Sequence, residues 1–91
     1  MARVADSIRA KLTAGLRPAR LDIEDESHRH AGHAGARAEG ESHFRVTIVA
    51  AAFAGQSRVA RQRLVYGLLA EELRTDIHAL SLTTLTPEEA G

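Results

Sequence analysis

The sequence predicts a small α+β domain in which three strands form one sheet and the helices cover one face of it. Apolar residues recur every three or four positions in two segments and every second position in three others. These segments follow one another in the order α-β-β-α-β, and a capping signal near the end adds a short last helix. The 91 residues suffice for one domain, which we assign to residues 1–91.

An apolar stripe with a spacing of four residues predicts the first helix, and it consists of Val4, Ile8, Leu12 and Leu16. Pro18 follows the stripe, and a proline cannot continue a helix. In residues 20–25, Leu21 and Ile23 alternate with charged side chains. This alternation is typical of a short, half-buried strand.

Residues 26–42 show no apolar period and are rich in glycine, alanine and histidine, so we predict a long, flexible loop. A second strand is predicted from His43 to about residue 50, with Phe44, Val46 and Ile48 on its buried face. His43 belongs to the opposite face, where we expect a surface residue. The first two strands then form a hairpin with a long connection.

The main helix is predicted to begin at Arg58, because Ser57 is a good N-cap residue. Its apolar residues form two stripes, which predicts either a bend near Gly67 or packing on two sides. Residues 77–85 form the third strand, which opens with His78. The helix between the second and third strands permits a right-handed parallel crossover. Thr86, with proline next and glutamate three positions later, predicts a capping box and a short last helix.

The composition excludes several kinds of site. The chain has no cysteine, so disulfides, thiol nucleophiles and a self-sufficient iron–sulfur site are ruled out. Twelve basic and twelve acidic residues give no net charge, which counts against a dedicated non-specific nucleic-acid binder. No apolar run reaches the length of a membrane span, and we expect a cytoplasmic protein without a membrane partner.

Histidines are the side chains that could carry chemistry. His78 stands at the mouth of a loop, where a neutral imidazole can donate a lone pair to a metal; a rim residue held by a backbone carbonyl is the alternative. The loop carries His28, His30 and His33, a spacing that suggests metal ligands but that a Gly/Ala-rich segment does not hold in a defined geometry. A solvated loop is therefore the alternative for these three.

Three arginines, Arg58, Arg61 and Arg63, cluster in the first turns of the main helix. Positive charge at a helix N-terminus opposes the helix dipole, so a carboxylate neighbour or an anionic partner is expected. A solvated helical face is the alternative. Ser57 serves as a cap and has no acid–base pair beside it, so we expect no enzymatic activity.

Taken together, several segments of the chain resemble the BolA family. They are residues 25–27 (DES), 41–46 (ESHFRV), 53–66 (FAGQSRVARQRLVY), 71–73 (EEL) and 77–80 (IHAL) with the Thr86-Pro87 ending. The segments occur in the family's order over nearly the whole chain. The resemblance implies a class II KH-like fold of the α-β-β-α-β-α kind, which agrees with the elements inferred above.

The resemblance also implies a partner and a cofactor. BolA-like proteins form heterodimers with monothiol glutaredoxins, and the pair can hold a [2Fe–2S] cluster to which the glutaredoxin and glutathione contribute thiolates. The family's own ligands would be His78, in the IHAL motif, and a loop residue that matches His30 here, with His28 and His33 as alternatives. The family serves iron–sulfur trafficking and iron sensing.

Two hypotheses of different classes follow, beside a plain interaction module whose histidines bind nothing. The first is a non-enzymatic adaptor that binds a monothiol glutaredoxin and co-ligates the cluster through His78 and His30. We expect its partner to contact the start of the third strand and the basic helix. The second is a DNA-binding regulator of morphology or stress response that uses Arg58, Arg61 and Arg63 against phosphates. A weak homodimer is compatible with both.

Overall fold

The computed structural model describes residues 3–26 and 42–91. Its elements are α1 (Arg3–Leu16), β1 (Arg20–Asp25), β2 (His43–Val49), α2 (Arg58–Leu68), α3 (Ala70–Thr75), β3 (Ala79–Leu85) and α4 (Pro87–Ala90). The predicted α-β-β-α-β-α order is thereby confirmed. Most of the loop predicted at residues 26–42 lies outside the described residues, as do His28, His30 and His33.

The three strands form one mixed sheet in the order β1-β2-β3. β1 runs antiparallel to β2 with Ile23 opposite Val46, and β3 runs parallel to β2 with Val46 opposite Leu82. Paired residues point to the same face of a sheet, so the apolar side chains of all three strands share one face. The helices α1 and α2 pack on that face. The core between the sheet and these helices contains the fully buried side chains Ile8, Leu12, Phe44, Val46, Ile48, Phe53, Val65 and Leu69.

The main helix is divided in two, as the double apolar stripe indicated. Leu69 has φ −104° and ψ 17°, which interrupts the helix between α2 and α3. Val65 and Leu69, which belong to one predicted stripe, are both buried in the core. Of the other stripe, Leu68 is partly buried against the core and Leu64 is exposed. Gly15 lies within α1, where a Cβ atom would come 2.8 Å from both methyl groups of Leu68. A glycine at this position therefore permits the close approach of α1 and α2.

The third strand starts two residues later than predicted, at Ala79. Ile77 donates its N–H to the carbonyl of Glu72 at 2.8 Å, which closes the end of α3 instead of joining the sheet. Ile77 is buried because it packs into the core. His78 consequently lies on the bend before β3, not within the strand.

The C-terminal turn forms as the sequence indicates. Thr86 accepts a hydrogen bond from the N–H of Glu89, and the Glu89 carboxylate accepts one from the N–H of Thr86 at 2.8 Å. This capping box starts α4 directly after β3. Within the described residues, no helix is long and apolar enough to span a membrane.

Candidate functional site

One edge of the sheet collects the histidines of the described chain. Because β2 and β3 are parallel, their first residues lie at the same edge, and His43 is opposite Ala79 in the register. His78 immediately precedes Ala79, so its ring comes beside that of His43. The ring centroids are 6.2 Å apart and the planes are inclined by 20°. We call this pair, together with Ser42, the histidine corner.

Ser42 holds the backbone of the histidine corner. It is fully buried, and its carbonyl accepts the N–H of His78 at 2.7 Å and the N–H of Ala79 at 3.2 Å. Its hydroxyl lies 2.9 Å from Nδ1 of His43. Two backbone bonds to one carbonyl determine where the chain turns into β3. The same residue thus contacts both histidines, one through the main chain and one through the side chain.

Exposure separates the two imidazoles. His78 is exposed, whereas His43 is half-buried. His43 lies on the face opposite the buried Phe44, as expected, but it is only half-buried because the parallel register places its ring beside that of His78. A sequence signal for this contact existed: both histidines stand at the start of strands for which a parallel crossover was inferred.

The described residues that flank positions 27–41, Glu26 and Ser42, both contact the histidine corner. Glu26 donates its N–H to the carbonyl of His43 at 2.7 Å, and its carboxylate lies 3.2 Å from Arg45. Ser42 is the first described residue after the loop. Glu26 and Ser42 therefore lie at the same edge of the sheet as His78. His30 follows Glu26 by four residues in the sequence. Four residues of fully extended chain span at most about 14 Å.

The described part of the chain has no ready-made metal centre. No group of three or more histidine, aspartate or glutamate side chains in residues 3–26 and 42–91 is arranged to hold a metal ion. The corner offers one exposed imidazole, His78, and a second ring stacked beside it. A metal bound here would need further ligands from outside these residues.

The arginines lie at the other end of the sheet. Arg61 donates to the carbonyls of Gln56 at 2.9 Å and Thr84 at 3.0 Å, and its Nη1 lies 2.7 Å from Oε1 of Glu89. Only 11% of its side chain is exposed. Thr84 is near the C-terminal end of β3 and His78 precedes the N-terminal end, so roughly 20 Å of strand separates them. The structure thus does not bring the basic helix start and His78 together, although we expected one partner to contact both.

Arg58 and Arg63 differ from Arg61. Both are exposed, and within the described segments neither forms an ion pair. The helix α2 contains no acidic residue that could neutralise them. The carboxylate neighbour expected for a basic helix start thus exists for Arg61, in Glu89, whereas none among the described residues pairs with Arg58 or Arg63. Two of the three arginines are available to an anionic partner.

A second polar cluster joins α1 to α3. Glu72 is buried, with 7% of its side chain exposed, and it accepts hydrogen bonds from Ser7 Oγ at 2.5 Å and Lys11 Nζ at 2.9 Å. Burial by itself raises the pKa of Glu72, but the bonds from Lys11 and Ser7 favour the carboxylate, and the pKa ends below its usual value.

Beside Glu72, a cavity of about 310 Å³ is lined by Arg3, Ser7 and Asp76, among others. Arg3 and Asp76 pair at 3.2 Å, so the charges here serve largely to hold the helices together.

Comparison with known proteins identifies the family. The model of the family described as BolA-like protein matches residues 12–89. Protein BOLA1, chloroplastic, of Arabidopsis thaliana is 51% identical over 88 residues, which are 94% of this chain and 55% of that protein. The DNA-binding transcriptional regulator BolA of Escherichia coli is 43% identical over 86 residues, which cover 94% of this chain and 78% of that protein.

Solved structures agree with the fold. The structure of BolA1 from Arabidopsis thaliana superposes with a TM-score of 0.85 at 45% identity, over 97% of this chain and 96% of that one. The chain spans just over half the length of the curated chloroplast relative, and 23% of a SufE-like protein that it also matches. The shared part in each case is the small α+β domain described here.

Proposed function

This chain belongs to the BolA-like family, and on that premise we propose that it is a non-enzymatic adaptor that binds a monothiol glutaredoxin and shares a [2Fe–2S] cluster with it. His78 would provide one ligand and His30 a second, while the glutaredoxin cysteine and glutathione would provide the thiolates. The observation that carries the proposal is the histidine corner. The exposed imidazole of His78 stands at the edge of the sheet that also holds Glu26 and Ser42, the residues between which the sequence carries His28, His30 and His33.

The side chains that could act as cluster ligands support a cluster shared with a partner over a cluster bound by this chain alone. A chain without cysteine cannot supply the thiolates that iron–sulfur clusters ordinarily require. His78 and one loop histidine would complete a four-ligand set begun by two thiolates. Histidine ligation raises the reduction potential of such a cluster, and acid should release it because only the neutral imidazole binds metal.

A co-expression experiment tests this proposal. The chain is produced with the monothiol glutaredoxin of its host, and the absorption and circular-dichroism spectra of the purified complex are recorded. His78→Ala should lose or alter the visible bands of the heterodimer while the fold is retained. Thr83→Ala, at an exposed position farther along β3, is the matched control. A His78→Ala complex with the spectrum and lifetime of the unmodified one would refute the ligand role.

The loop ligand requires its own comparison. His28→Ala, His30→Ala and His33→Ala are prepared separately in the same complex. We expect His30→Ala to change the spectrum and the other two to leave it unchanged. If a different single variant bleaches the cluster, the second ligand moves to that residue. If none does, the second ligand does not come from these three.

A DNA-binding role is the second candidate. Arg58 and Arg63 support it because they are exposed and form no ion pair within residues 3–26 and 42–91. The Escherichia coli relative, a DNA-binding transcriptional regulator, supports it as well. Two phosphate contacts would contribute roughly −2 to the slope of log affinity against log salt. Arg58→Ala with Arg63→Ala should remove that contribution in anisotropy titrations with a DNA duplex. A slope that is unchanged by the double substitution would exclude this surface.

A further inference from the structure

We infer that His43 is a positioning residue for His78: its ring lies flat beside the His78 ring, and Ser42 holds it there. The functional meaning of this inference rests on the proposed role of His78 as a cluster ligand. The geometric part, that His43 orders the His78 ring, can be tested on the chain alone. Sequence reasoning gave His43 no role.

The main chain fixes only the starting point of the His78 side chain. Its N–H and that of Ala79 both bind the Ser42 carbonyl, so the Cα position at the bend is set. The exposed imidazole beyond it can still rotate about its side-chain bonds. A partner that binds this imidazole must immobilise it, and a ring that is already ordered loses less entropy on binding.

The ring of His43 supplies that order. The two centroids lie 6.2 Å apart with planes inclined by 20°, which is within the range of offset aromatic stacking. The nearly parallel ring of His43 therefore limits the directions in which the His78 ring can turn, while His78 itself remains exposed. The ring nitrogens lie in the ring plane and not on its faces, so a parallel neighbour does not occupy their lone pairs.

Ser42 explains why the ring of His43 can act as a rigid support. Ser42 is fully buried, and its hydroxyl lies 2.9 Å from Nδ1 of His43. A hydrogen bond to one ring nitrogen fixes the rotation of an imidazole about its Cβ–Cγ bond. His43 is also half-buried at the first position of β2, where its backbone belongs to the sheet. The core thus holds Ser42 in place, Ser42 holds the ring of His43, and His43 restrains the ring of His78.

The same geometry distinguishes positioning from ligation. A metal is bound by a nitrogen lone pair, which lies in the plane of the imidazole ring. Two stacked rings turn their faces to each other and do not direct both lone pairs at one ion. One nitrogen of His43 is moreover engaged with Ser42. We therefore assign the ligand role to His78 alone and the supporting role to His43.

Two substitutions at one position separate these roles. His43→Phe keeps a flat ring and removes both nitrogens, whereas His43→Ala removes the ring. Thr47→Ala, on the same face of β2 four residues further along the strand, is the control for effects of substitution in this strand. Thermal unfolding, followed by far-ultraviolet circular dichroism, establishes that each variant is folded before the site is measured.

The first measurement uses the chain alone, with nuclear magnetic resonance of the His78 ring. We expect contacts between the rings, seen as nuclear Overhauser effects, in the unmodified chain and in His43→Phe. In His43→Ala the His78 ring should become mobile on the nanosecond timescale, with averaged shifts. Equal ring mobility in the unmodified chain and in His43→Ala would overturn the inference. If His43→Ala does not fold, the test uses the other two proteins. The absence of contacts between the two rings in the unmodified chain or in His43→Phe would then overturn the inference.

The second measurement follows the visible absorption of the cluster-bearing complex with the glutaredoxin. His43→Phe should keep the spectrum of the unmodified complex, and its cluster lifetime should change by less than about twofold. His43→Ala should keep the band positions and lose cluster about threefold to tenfold faster, the effect expected for one side chain that must be ordered anew. If His43→Phe bleaches the cluster as His78→Ala does, His43 is a ligand and the positioning role is wrong. If His78→Ala itself leaves the spectrum unchanged, the proposed function fails, while the resonance experiment still decides the relation between the two rings.

Discussion

Arg61 and Glu89 pair across the junction of α2 and α4, with Nη1 of the arginine 2.7 Å from Oε1 of the glutamate. The same guanidinium donates to two backbone carbonyls, at Gln56 and Thr84, and its carbon lies 5.8 Å from the centroid of the Phe53 ring. Arg61 therefore connects the start of α2, the end of β3 and the last helix. Its role in this fold is structural, whereas Arg58 and Arg63 point outward.

Arg61→Ala should destabilise the domain by about 2 kcal/mol, because the hydrogen bonds of Arg61 to two backbone carbonyls and to Glu89 are lost together. Arg61→Lys should recover little of this loss, since a single ammonium cannot reach all three acceptors. Urea unfolding monitored by circular dichroism measures both. Arg63→Ala is the matched control in the same helix and should change stability by less than about 0.5 kcal/mol. Equal effects of Arg61→Ala and Arg63→Ala would contradict the structural role.

Glu89 should make the domain sensitive to acid. The hydrogen bond from Arg61, together with that from the Thr86 N–H, lowers the pKa of Glu89 to about 2. A carboxyl whose pKa is lower in the folded chain stabilises it above the unfolded pKa, near 4.3, and that contribution is lost as the pH falls toward 2. Unfolding measured between pH 7 and pH 2 should show the loss in the lower half of this range.

Substitution isolates the contribution of Glu89 from that of the other carboxyls. Glu89→Gln should be less stable than the unmodified chain at pH 7, and the difference should shrink toward pH 2. Glu88→Gln, at the exposed neighbouring position, should follow the unmodified curve. A Glu89→Gln curve parallel to the unmodified one at all pH values would show that the pair does not titrate as described.

Lys11 should determine whether the contribution of Glu72 to folding stability rises or falls as the pH is lowered. With Lys11 and Ser7 bonded to it, Glu72 has a lowered pKa and stabilises the fold above the unfolded value of about 4.3. Lys11→Met leaves the buried carboxylate without its counterion, so burial should then raise the pKa of Glu72. The variant should be less stable at pH 7, and its deficit should narrow as the pH falls and Glu72 becomes protonated.

Three further variants check this interpretation of the cluster. Lys11→Met with Glu72→Met removes both charges and should recover much of the lost stability, since an apolar pair often replaces a buried ion pair without cost. Arg9→Met, on the exposed side of α1, should have little effect. Ser7→Ala should cost about 1–2 kcal/mol as the loss of one hydrogen bond to a charged acceptor. A Lys11→Met deficit that is constant with pH would count against the ion pair.

Two glycines in helices should respond differently to alanine. At Gly67, near the end of α2, nothing lies within 4 Å of an added Cβ, so Gly67→Ala should stabilise by about 0.5 kcal/mol through helix propensity. At Gly15 the new atom would lie 2.8 Å from the Leu68 methyl groups, so Leu68 must leave its rotamer, at about 0.5–1.5 kcal/mol. Gly15→Ala should therefore gain nothing or lose stability. Thermal unfolding of both variants measures these changes in stability. An equal gain in stability at the two positions would show that α1 and α2 are not in close contact.

The sequence by itself determined the elements and their buried faces. Local signals suffice for these features: the stripe from Val4 to Leu16, the alternation around Phe44, the Ser57 cap and the capping box at Thr86 depend on residues a few positions apart. His78 was identified as a candidate from its own segment and from the family pattern around it. None of these inferences requires knowledge of which distant segments are in contact.

Only the tertiary structure decided which side chains meet. The parallel register of β2 and β3 brings His43 to His78 although 35 positions separate them in the sequence. The end of β3 and the start of α4 engage Arg61, while Arg58 and Arg63 in the same cluster stay exposed. Such contacts arise from the sum of many weak packing terms over the whole core, and no short window of sequence contains that sum.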